Sequence, residues 1–454
     1  MRSTRIIFYV FIMLSNMGCF SGNNSYSVPS DKEGISAVSA GEFLNSLGAV
    51  SSVSRRGETV EGSVECIKYT GLRWLRCGFE DDAPVEDFIW LHKQTGVKFS
   101  YGMLSGRNEV QRLIDDAKKL AAKDALLALE GSNEPNNWGI TYQNEKGGAK
   151  ESWLPVARMH RDLYAAVKND ALLKNYPVWA TCETGAQTDN TGLQFLTIPE
   201  GADSLLMPAG TQYADYANCH NYVTHPNWSG LHDNQTWMSS MTGKDCPVDG
   251  LYGNFGNTWA KHFAGYTEEE LVDLPKVTTE TGCAVNQKDG ITEEIQARLY
   301  LNLYLSQFKQ GWKYTAIYLL KGRSNEPEHE NYAFYTLDYH PKQAAHYLHN
   351  FTTVLNDEKT LETAGKLNYS IANQPETTHD LLLQKSDGTF ILILWGERFA
   401  SKGSDNIQLN LGKIRKKVTI YDPTKGVNPI DEQKNIDKIE LSLSDHPLIV
   451  KISI

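Results

Sequence analysis

Between residues 45 and 320 the sequence alternates short apolar runs with longer amphipathic stretches, and this alternation constrains the fold more than any other feature. Eight runs rich in β-branched and aromatic residues have the length of a strand: 45–54, 72–79, 97–104, 126–131, 177–183, 216–223, 276–281 and 314–320. The stretches between them have helical spacing, as at Val110, Leu113, Ala117 and Leu120. Repeated strand–helix units of this number predict an α/β fold, the closed (β/α)8 TIM barrel, with catalytic groups at the C-terminal ends of the strands. A doubly wound open sheet shows the same alternation and is the alternative architecture.

The sequence changes character after residue 358, where helical spacing disappears. The last predicted helix covers 341–357. Beyond it, six runs have the composition of strands: 380–384, 389–395, 406–411, 417–421, 438–443 and 447–453. The segment 385–388 between the first two contains the Asp-Gly pair of a hairpin turn. We therefore predict a barrel over 41–357 and an antiparallel β-sandwich domain over 358–454.

The N-terminus has the layout of a secretory signal. Arg2 and Arg5 precede an apolar run at 6–14 that is too short to span a bilayer, and small or polar residues follow it. We predict a signal segment over 1–18 and a Ser/Gly/Asn-rich tether over 19–40.

The end of the predicted signal resembles the cleavage box of bacterial lipoproteins. Gly18-Cys19 fits that pattern, in which Cys19 would carry the lipid, whereas Asn16 stands where the pattern prefers Leu. We expect an exported protein and leave periplasmic, cell-surface and extracellular locations open. A lipid on Cys19 is the only membrane attachment that we expect.

Charge and motifs exclude several functional classes. The chain has 44 Lys and Arg against 55 Asp and Glu, a net charge of −11, and no basic block, which argues against a nucleic-acid groove. Apart from Cys19 it has six cysteines without CxxC or CxxH spacing, so zinc is disfavoured, while disulfides and free buried thiols both fit. GxGxxG, GxxxxGK[ST], GxSxG and HExxH are absent. We expect no cofactor and no metal.

Two glutamates stand at the ends of predicted strands. Glu134 follows strand four within Asn133-Glu134-Pro135, and Glu280 closes strand seven. In a (β/α)8 barrel this pair resembles clan A of the glycoside hydrolases, the 4/7 retaining enzymes. The resemblance implies that Glu134 is the acid/base, that Glu280 is the nucleophile and that Asn133 donates to the sugar 2-hydroxyl. Such enzymes need two carboxyls about 5–5.5 Å apart across the scissile bond.

Two further strands carry side chains that match this clan. His220-Asn221-Tyr222 on strand six resembles the clan's His-x-Tyr, in which the Tyr hydroxyl bonds the nucleophile. The clan also has an Arg near the nucleophile on strand two, where this chain has Arg73 and Arg76. Alternation along a strand puts these two on opposite faces, and Arg76 is favoured because it is nearer the C-terminal end.

Three more residues are candidates for contact with a sugar. Trp138 and Trp312 lie near predicted strand ends, where a ring face can stack on a sugar, although half of the tryptophans so placed are expected in the core. Glu183 after strand five either binds substrate hydroxyls or is a solvated loop residue.

A barrel followed by a β-sandwich resembles glycoside hydrolase family 39, with families 30 and 79 as neighbours. This implies a retaining glycoside hydrolase that cleaves O-glycosidic bonds of a poly- or oligosaccharide through a covalent glycosyl-enzyme. The alternative is a non-catalytic surface glycan-binding protein on a decayed barrel. The sugar, its linkage, exo or endo action and the oligomeric state stay open.

Overall fold

The computed structural model describes residues 30–79, 82–135, 137–148, 151, 154–182, 211–220, 222–223, 275–398 and 403–453. Eight parallel strands form its main sheet: β1 Leu47–Val50, β2 Trp74–Gly78, β3 Lys98–Met103, β4 Leu126–Ser132, β5 Val178–Trp179, β6 Ala217–His220, β7 Lys276–Thr281 and β8 Trp312–Ile317. Seven neighbouring pairs run from β6 through β8 and β1 to β5. The ring closes between β5 and β6, where the Ala180 amide donates to the Tyr216 carbonyl at 2.9 Å. The predicted TIM barrel is confirmed, and the open-sheet alternative is wrong.

Seven α-helices are described around this ring: α1 Ala40–Asn45, α2 Val60–Thr70, α3 Val85–Thr95, α4 Val110–Ala121, α5 Leu154–Asn169, α6 Glu293–Lys309 and α7 Gln343–Leu355. Their ends follow local rules. The Thr59 side chain accepts from the Gly62 amide at the start of α2, and Gly71 ends that helix at φ 72°. None of the helices in the described ranges is long and apolar enough to cross a membrane.

Aromatic side chains fill the inside of the barrel below the strand ends. The rings of Trp74 and Trp179 meet edge to face at 5.4 Å, and Tyr314 lies 5.2 Å from Trp179. Both tryptophans are fully buried. The barrel is therefore a packed core, and chemistry is confined to its open C-terminal rim.

The C-terminal domain is antiparallel, as predicted. Its principal strands are β9 Ser370–Ala372, β10 Thr378–Gln384, β11 Phe390–Gly396, β12 Asp405–Tyr421, β13 Pro429–Leu443 and β14 Pro447–Ser453. The runs 406–411 and 417–421, predicted as two strands, form one strand, β12. Its register against β13 shifts between Asn410 and Arg415, and Gly412 adopts φ 70° there. The first half of β12 pairs with β9 and the second half with β14, while β13 pairs along both halves.

The segment before the barrel belongs to the C-terminal domain. Ile35–Ser36 pairs with Lys366–Leu367, and Val38–Ser39 adds a parallel strand to β10. Asp31 accepts a hydrogen bond from Arg415 at 2.7 Å. This corrects the tether predicted over 19–40, because its described part, from residue 30 onward, is bound to the sandwich. Residues 1–29, including the predicted signal segment, lie outside the described ranges.

The two domains share an apolar interface that explains the composition of β11. Leu392 and Leu394 point into the sandwich core, whereas Ile391, Ile393 and Trp395 belong to the core of the barrel. A strand covered on both faces needs apolar side chains at every position, which is why this run does not alternate with polar residues.

A polar cluster completes this interface. His446 lies between two buried carboxylates, with Nε2 3.3 Å from Asp422 and Nδ1 3.2 Å from Asp445. Arg298 of α6 donates to Asp445 at 3.0 Å. Burial alone would lower the pKa of His446, but the two carboxylates outweigh burial and raise it.

We predict that this histidine makes stability depend on pH. Because its folded pKa is raised, its contribution is complete below the ordinary value of about 6.5 and is lost as pH rises through the folded pKa. His446→Gln should lower the midpoint of thermal unfolding by about 2–5 °C near pH 6 and by less near pH 9. Scanning calorimetry of the wild type, this variant and the exposed control His340→Gln measures the effect. A deficit that is constant or larger at high pH would contradict it.

Candidate active site

Four barrel strands bring the predicted polar residues to one place. Arg76 comes from β2, Glu134 follows β4, His220 ends β6 and Glu280 lies near the end of β7. Since all strands of a parallel barrel end at the same rim, residues far apart in sequence meet there. Asn133 and Tyr222 lie beside them.

The two candidate catalytic carboxylates lie close together. One oxygen of Glu134 and one of Glu280 are within 4.8 Å of each other, and a ring nitrogen of His220 is within the same distance of both. The Glu134 side chain is 13 % exposed and the Glu280 side chain 11 % exposed. Two nearly buried carboxylates at this separation can flank one scissile bond.

Each oxygen of Glu280 has its own donor. Arg76 Nη1 donates to Oε1 at 2.6 Å, and Tyr222 Oη donates to Oε2 at 2.9 Å. Burial, followed by the charge of Glu280, raises the pKa of Tyr222 well above its ordinary value, so the phenol keeps its proton and acts as a donor. These contacts fix the orientation of Glu280.

Glu134 occupies a sharp turn where the chain leaves β4. Its φ of 40° is in the left-handed region, which is uncommon for a residue with a side chain and is found preferentially at functional sites. Its carbonyl accepts from the amides of Asn137 and Trp138, both at 2.8 Å. Its Oε1 lies 2.7 Å from His220 Nδ1.

The other nitrogen of His220 fixes its tautomer. Thr279 Oγ1 donates to the carboxylate of Glu130 at 2.9 Å, so it accepts from His220 Nε2 at 3.1 Å. With Nε2 protonated, a single proton lies between His220 Nδ1 and Glu134 Oε1. Burial opposes protonation of His220, but the charge of Glu280 and the hydrogen bond to Glu134 outweigh burial and raise its pKa. The pair therefore holds an available proton beside the scissile position.

Asn133 is held with its amide oriented. Its Oδ1 accepts from Arg76 Nη2 at 2.8 Å, and its Nδ2 donates to Ser105 Oγ at 3.0 Å. The carbonyl is therefore committed to the arginine, and the amide nitrogen remains the end that can donate to a sugar hydroxyl.

Two buried residues of the site were not predicted from the sequence. Glu130, fully buried in β4, bonds Arg76, and Cys182, also fully buried, has its Sγ 3.5 Å from Arg76 Nη2. A charged residue within the apolar run 126–131 was the available signal for Glu130. Tyr222, Tyr318 and Tyr332 form an aromatic wall near Glu280, with ring centroids 5.9–6.5 Å apart.

Two residue groups at this rim have the chemistry of metal ligands: Glu130, Cys182 and His220, and Glu134, His220 and Glu280. Arg76 already bonds Glu130 and Glu280, and its fixed positive charge disfavours a divalent cation among them. Burial also raises the pKa of the Cys182 thiol, which keeps it from the thiolate form that binds metals. These contacts favour proton transfer over metal binding.

The three candidate sugar contacts have different outcomes. Trp138 lies four residues after Glu134 and is 54 % exposed, so its ring is accessible near Glu134. Glu183 lies outside the described residues. The prediction for Trp312 is wrong: it opens β8 at the N-terminal end of the barrel, is only 2 % exposed and packs against Lys276, the first residue of β7.

Comparison with known proteins finds similarity in structure and none in sequence. No protein-family model and no curated protein matches the chain. A family 39 glycoside hydrolase from Bacteroides cellulosilyticus superposes with a TM-score of 0.58 at 13 % identity, over 92 % of this chain and 82 % of that one. A glucosidase from Croceicoccus marinus superposes with a TM-score of 0.53 at 11 % identity, over 93 % of this chain and 100 % of that one. The chain therefore shares the fold of these two enzymes over nearly its whole length.

Proposed function

We propose that this protein is a retaining glycoside hydrolase of clan A, similar to family 39, with Glu280 as nucleophile and Glu134 as acid/base. The observation that carries this proposal is the approach of the two carboxylates to within 4.8 Å at the ends of strands four and seven. Inverting enzymes separate their carboxyls by about 6.5–9.5 Å to admit a water molecule, whereas retaining enzymes hold them about 5–5.5 Å apart. The fold shared with a family 39 hydrolase and a glucosidase supports it.

In the first step, a Glu280 oxygen attacks the anomeric carbon and the bond to the leaving oxygen breaks. Glu134 gives that oxygen the proton it shares with His220. In the second step, Glu134 takes a proton from water, the water oxygen attacks the anomeric carbon, and Glu280 leaves as a carboxylate. Two inversions at the same carbon retain its configuration.

The remaining contacts define where the sugar binds. The Asn133 amide nitrogen, which has a second N–H besides the one that it donates to Ser105, would meet the 2-hydroxyl, and this hydrogen bond strengthens as the oxocarbenium-like transition state forms. Trp138 offers an exposed ring face next to the acid/base, where the departing part of the substrate would lie. A predicted signal segment over 1–18 fits an exported enzyme that acts on external polysaccharide.

Substitution of the two carboxylates should separate their roles. With aryl glycosides of graded leaving groups, Glu280→Gln should lose at least about 1,000-fold in kcat for every leaving group, since no glycosyl-enzyme can form. Glu134→Gln should lose about 100- to 10,000-fold with poor leaving groups and far less with activated ones, because only the former need an acid. The exposed Glu328→Gln is the control.

Proton NMR of the first-formed product completes this test. The proposal predicts the same anomeric configuration in product and substrate. Release of the opposite anomer would overturn the retaining mechanism. Binding of glycans by the wild type without turnover of any member of a broad panel would favour the glycan-binding alternative.

Tyr222→Phe should shift the pH dependence in a defined direction. Loss of the 2.9 Å hydrogen bond removes a donor that favours the charged form of Glu280, so the acidic limb of the kcat/KM profile should move to higher pH, with kcat about 10- to 100-fold lower. The pH profiles of this variant and of Tyr421→Phe, in the C-terminal domain, measure it. If the acidic limb of the kcat/KM profile is unchanged in Tyr222→Phe, the proposed role of this tyrosine is wrong.

A further inference from the structure

A third carboxylate lies beneath the site and has no place in the two-step mechanism. Glu130 precedes Glu134 by four residues in β4 and is fully buried, so it cannot touch substrate. It pairs across the sheet with Gly102 of β3, where an added Cβ would come within 3.1 Å of the Glu130 Cβ. The absence of a side chain at that position leaves room for the carboxylate in the barrel interior.

Glu130 holds Arg76 by a two-point contact. Arg76 Nε donates to Oε2 at 3.3 Å and Nη2 donates to Oε1 at 3.0 Å, which fixes the plane of the guanidinium. Ser100 Oγ donates to Oε2 at 3.2 Å, and Thr279 and Asn218 donate to Oε1. Both oxygens of Glu130 therefore have donors, which come from four other strands of the barrel, β2, β3, β6 and β7.

The fixed guanidinium then orients two groups of the rim. Its Nη1 reaches Glu280 at 2.6 Å, and its Nη2 reaches the carbonyl of Asn133 at 2.8 Å. The planar guanidinium of Arg76 therefore orients both the carboxylate of Glu280 and the amide of Asn133. A rotation of Arg76 would misplace both.

A chain of hydrogen bonds also connects Glu130 to Glu134, the proposed acid/base. Thr279 donates to Glu130 and so accepts from His220 Nε2, which leaves His220 Nδ1 facing Glu134 with one shared proton. Charged Glu130 is the strongest acceptor available to the Thr279 hydroxyl, because the other contact, Asn218 Oδ1, is neutral and 3.1 Å away.

Glu130 also offsets part of the positive charge of Arg76. Burial alone would raise the pKa of Glu130, but the charge and hydrogen bonds of Arg76 lower it below its usual value, so Glu130 is ionised. Arg76 thus bonds two carboxylates, and at Glu280 the negative charge of Glu130 offsets part of the positive charge of Arg76. A carboxylate that is less strongly neutralised is a better nucleophile.

We infer that Glu130 is a positioning residue, which through Arg76 and Thr279 sets the orientation and protonation of both Glu280 and Glu134. This inference rests on the proposed function, because it concerns the two residues of that mechanism. It assigns a role to a residue that touches neither substrate nor the reacting atoms.

Glu130→Gln removes the negative charge of Glu130 and tests its effect on Arg76. We expect kcat to fall about 10- to 100-fold with KM changed less, because orientation counts most in the transition state. The acidic limb of the kcat/KM profile should move to lower pH, because removal of a buried negative charge favours ionisation of the carboxylates that remain at the rim. Glu130→Asp, which keeps the charge, should lose rate with the limb unmoved.

Thr279→Val tests the connection from Glu130 through Thr279 and His220 to Glu134, and valine has nearly the same shape as threonine. This variant remains informative if Glu130→Gln does not fold. It should lower kcat about 10-fold with poor leaving groups and hardly at all with activated ones, because the lost hydroxyl orients the proton shared with Glu134, while Arg76 keeps its two-point contact with Glu130. A merely structural role would lower both rates equally.

Asp445→Asn is the matched control, since it neutralises a buried carboxylate that also binds an arginine, in the C-terminal domain. The inference would be overturned if both Glu130→Gln and Thr279→Val had wild-type rates and pH profiles. It would also be overturned if Asp445→Asn showed the same changes as these two variants. In that case Glu280→Gln would still be inactive and the proposed function would stand. Equal turnover by wild type and Glu280→Gln would instead overturn the proposed function itself.

Discussion

All eight strands of a closed parallel barrel end at the same rim, and the chemistry of this protein depends on that constraint. Arg76 and Glu280 are 204 residues apart in sequence, yet side chains at the ends of β2, β4, β6 and β7 share one hydrogen-bonded network. The aromatic core formed by Trp74, Trp179 and Tyr314 supports this network from below. Precise placement of the carboxylates follows from strands, which hold side chains more rigidly than loops do.

Five charged or proton-sharing side chains at the rim are paired with one another. Arg76 and His220 carry or share positive charge, and Glu130, Glu134 and Glu280 carry or share negative charge. Buried charges are tolerated when they are paired and hydrogen-bonded, and each of these side chains has a partner within 3.0 Å. This pairing allows three carboxylates to be buried or nearly buried at one rim.

The barrel strands and the two glutamates could be located from the sequence because both follow local patterns. Glu130 could not be assigned in this way, because the role of a carboxylate inside an apolar strand depends on Arg76, which another strand supplies. Trp312 was misplaced because it lies at the N-terminal side of the eighth strand, whether that strand begins at 314, as predicted, or at 312, as observed, whereas the site lies at the C-terminal ends of the strands. The joining of 406–411 and 417–421 into β12, and the pairing of residues 35–39 with the sandwich, depend on partners distant in sequence. No local signal encodes such pairing.

The central claim is that Glu280 forms a covalent bond to the sugar. Intact-protein mass spectrometry after incubation with activated glycosides whose 2-hydroxyl is replaced by fluorine tests it directly, because fluorine slows the second step and traps the intermediate. The account predicts a mass increase of one fluoroglycosyl group, which peptide mapping places on Glu280 and which Glu280→Gln abolishes. A label on another residue, or rapid turnover of the parent sugar without any trapped species, would contradict it.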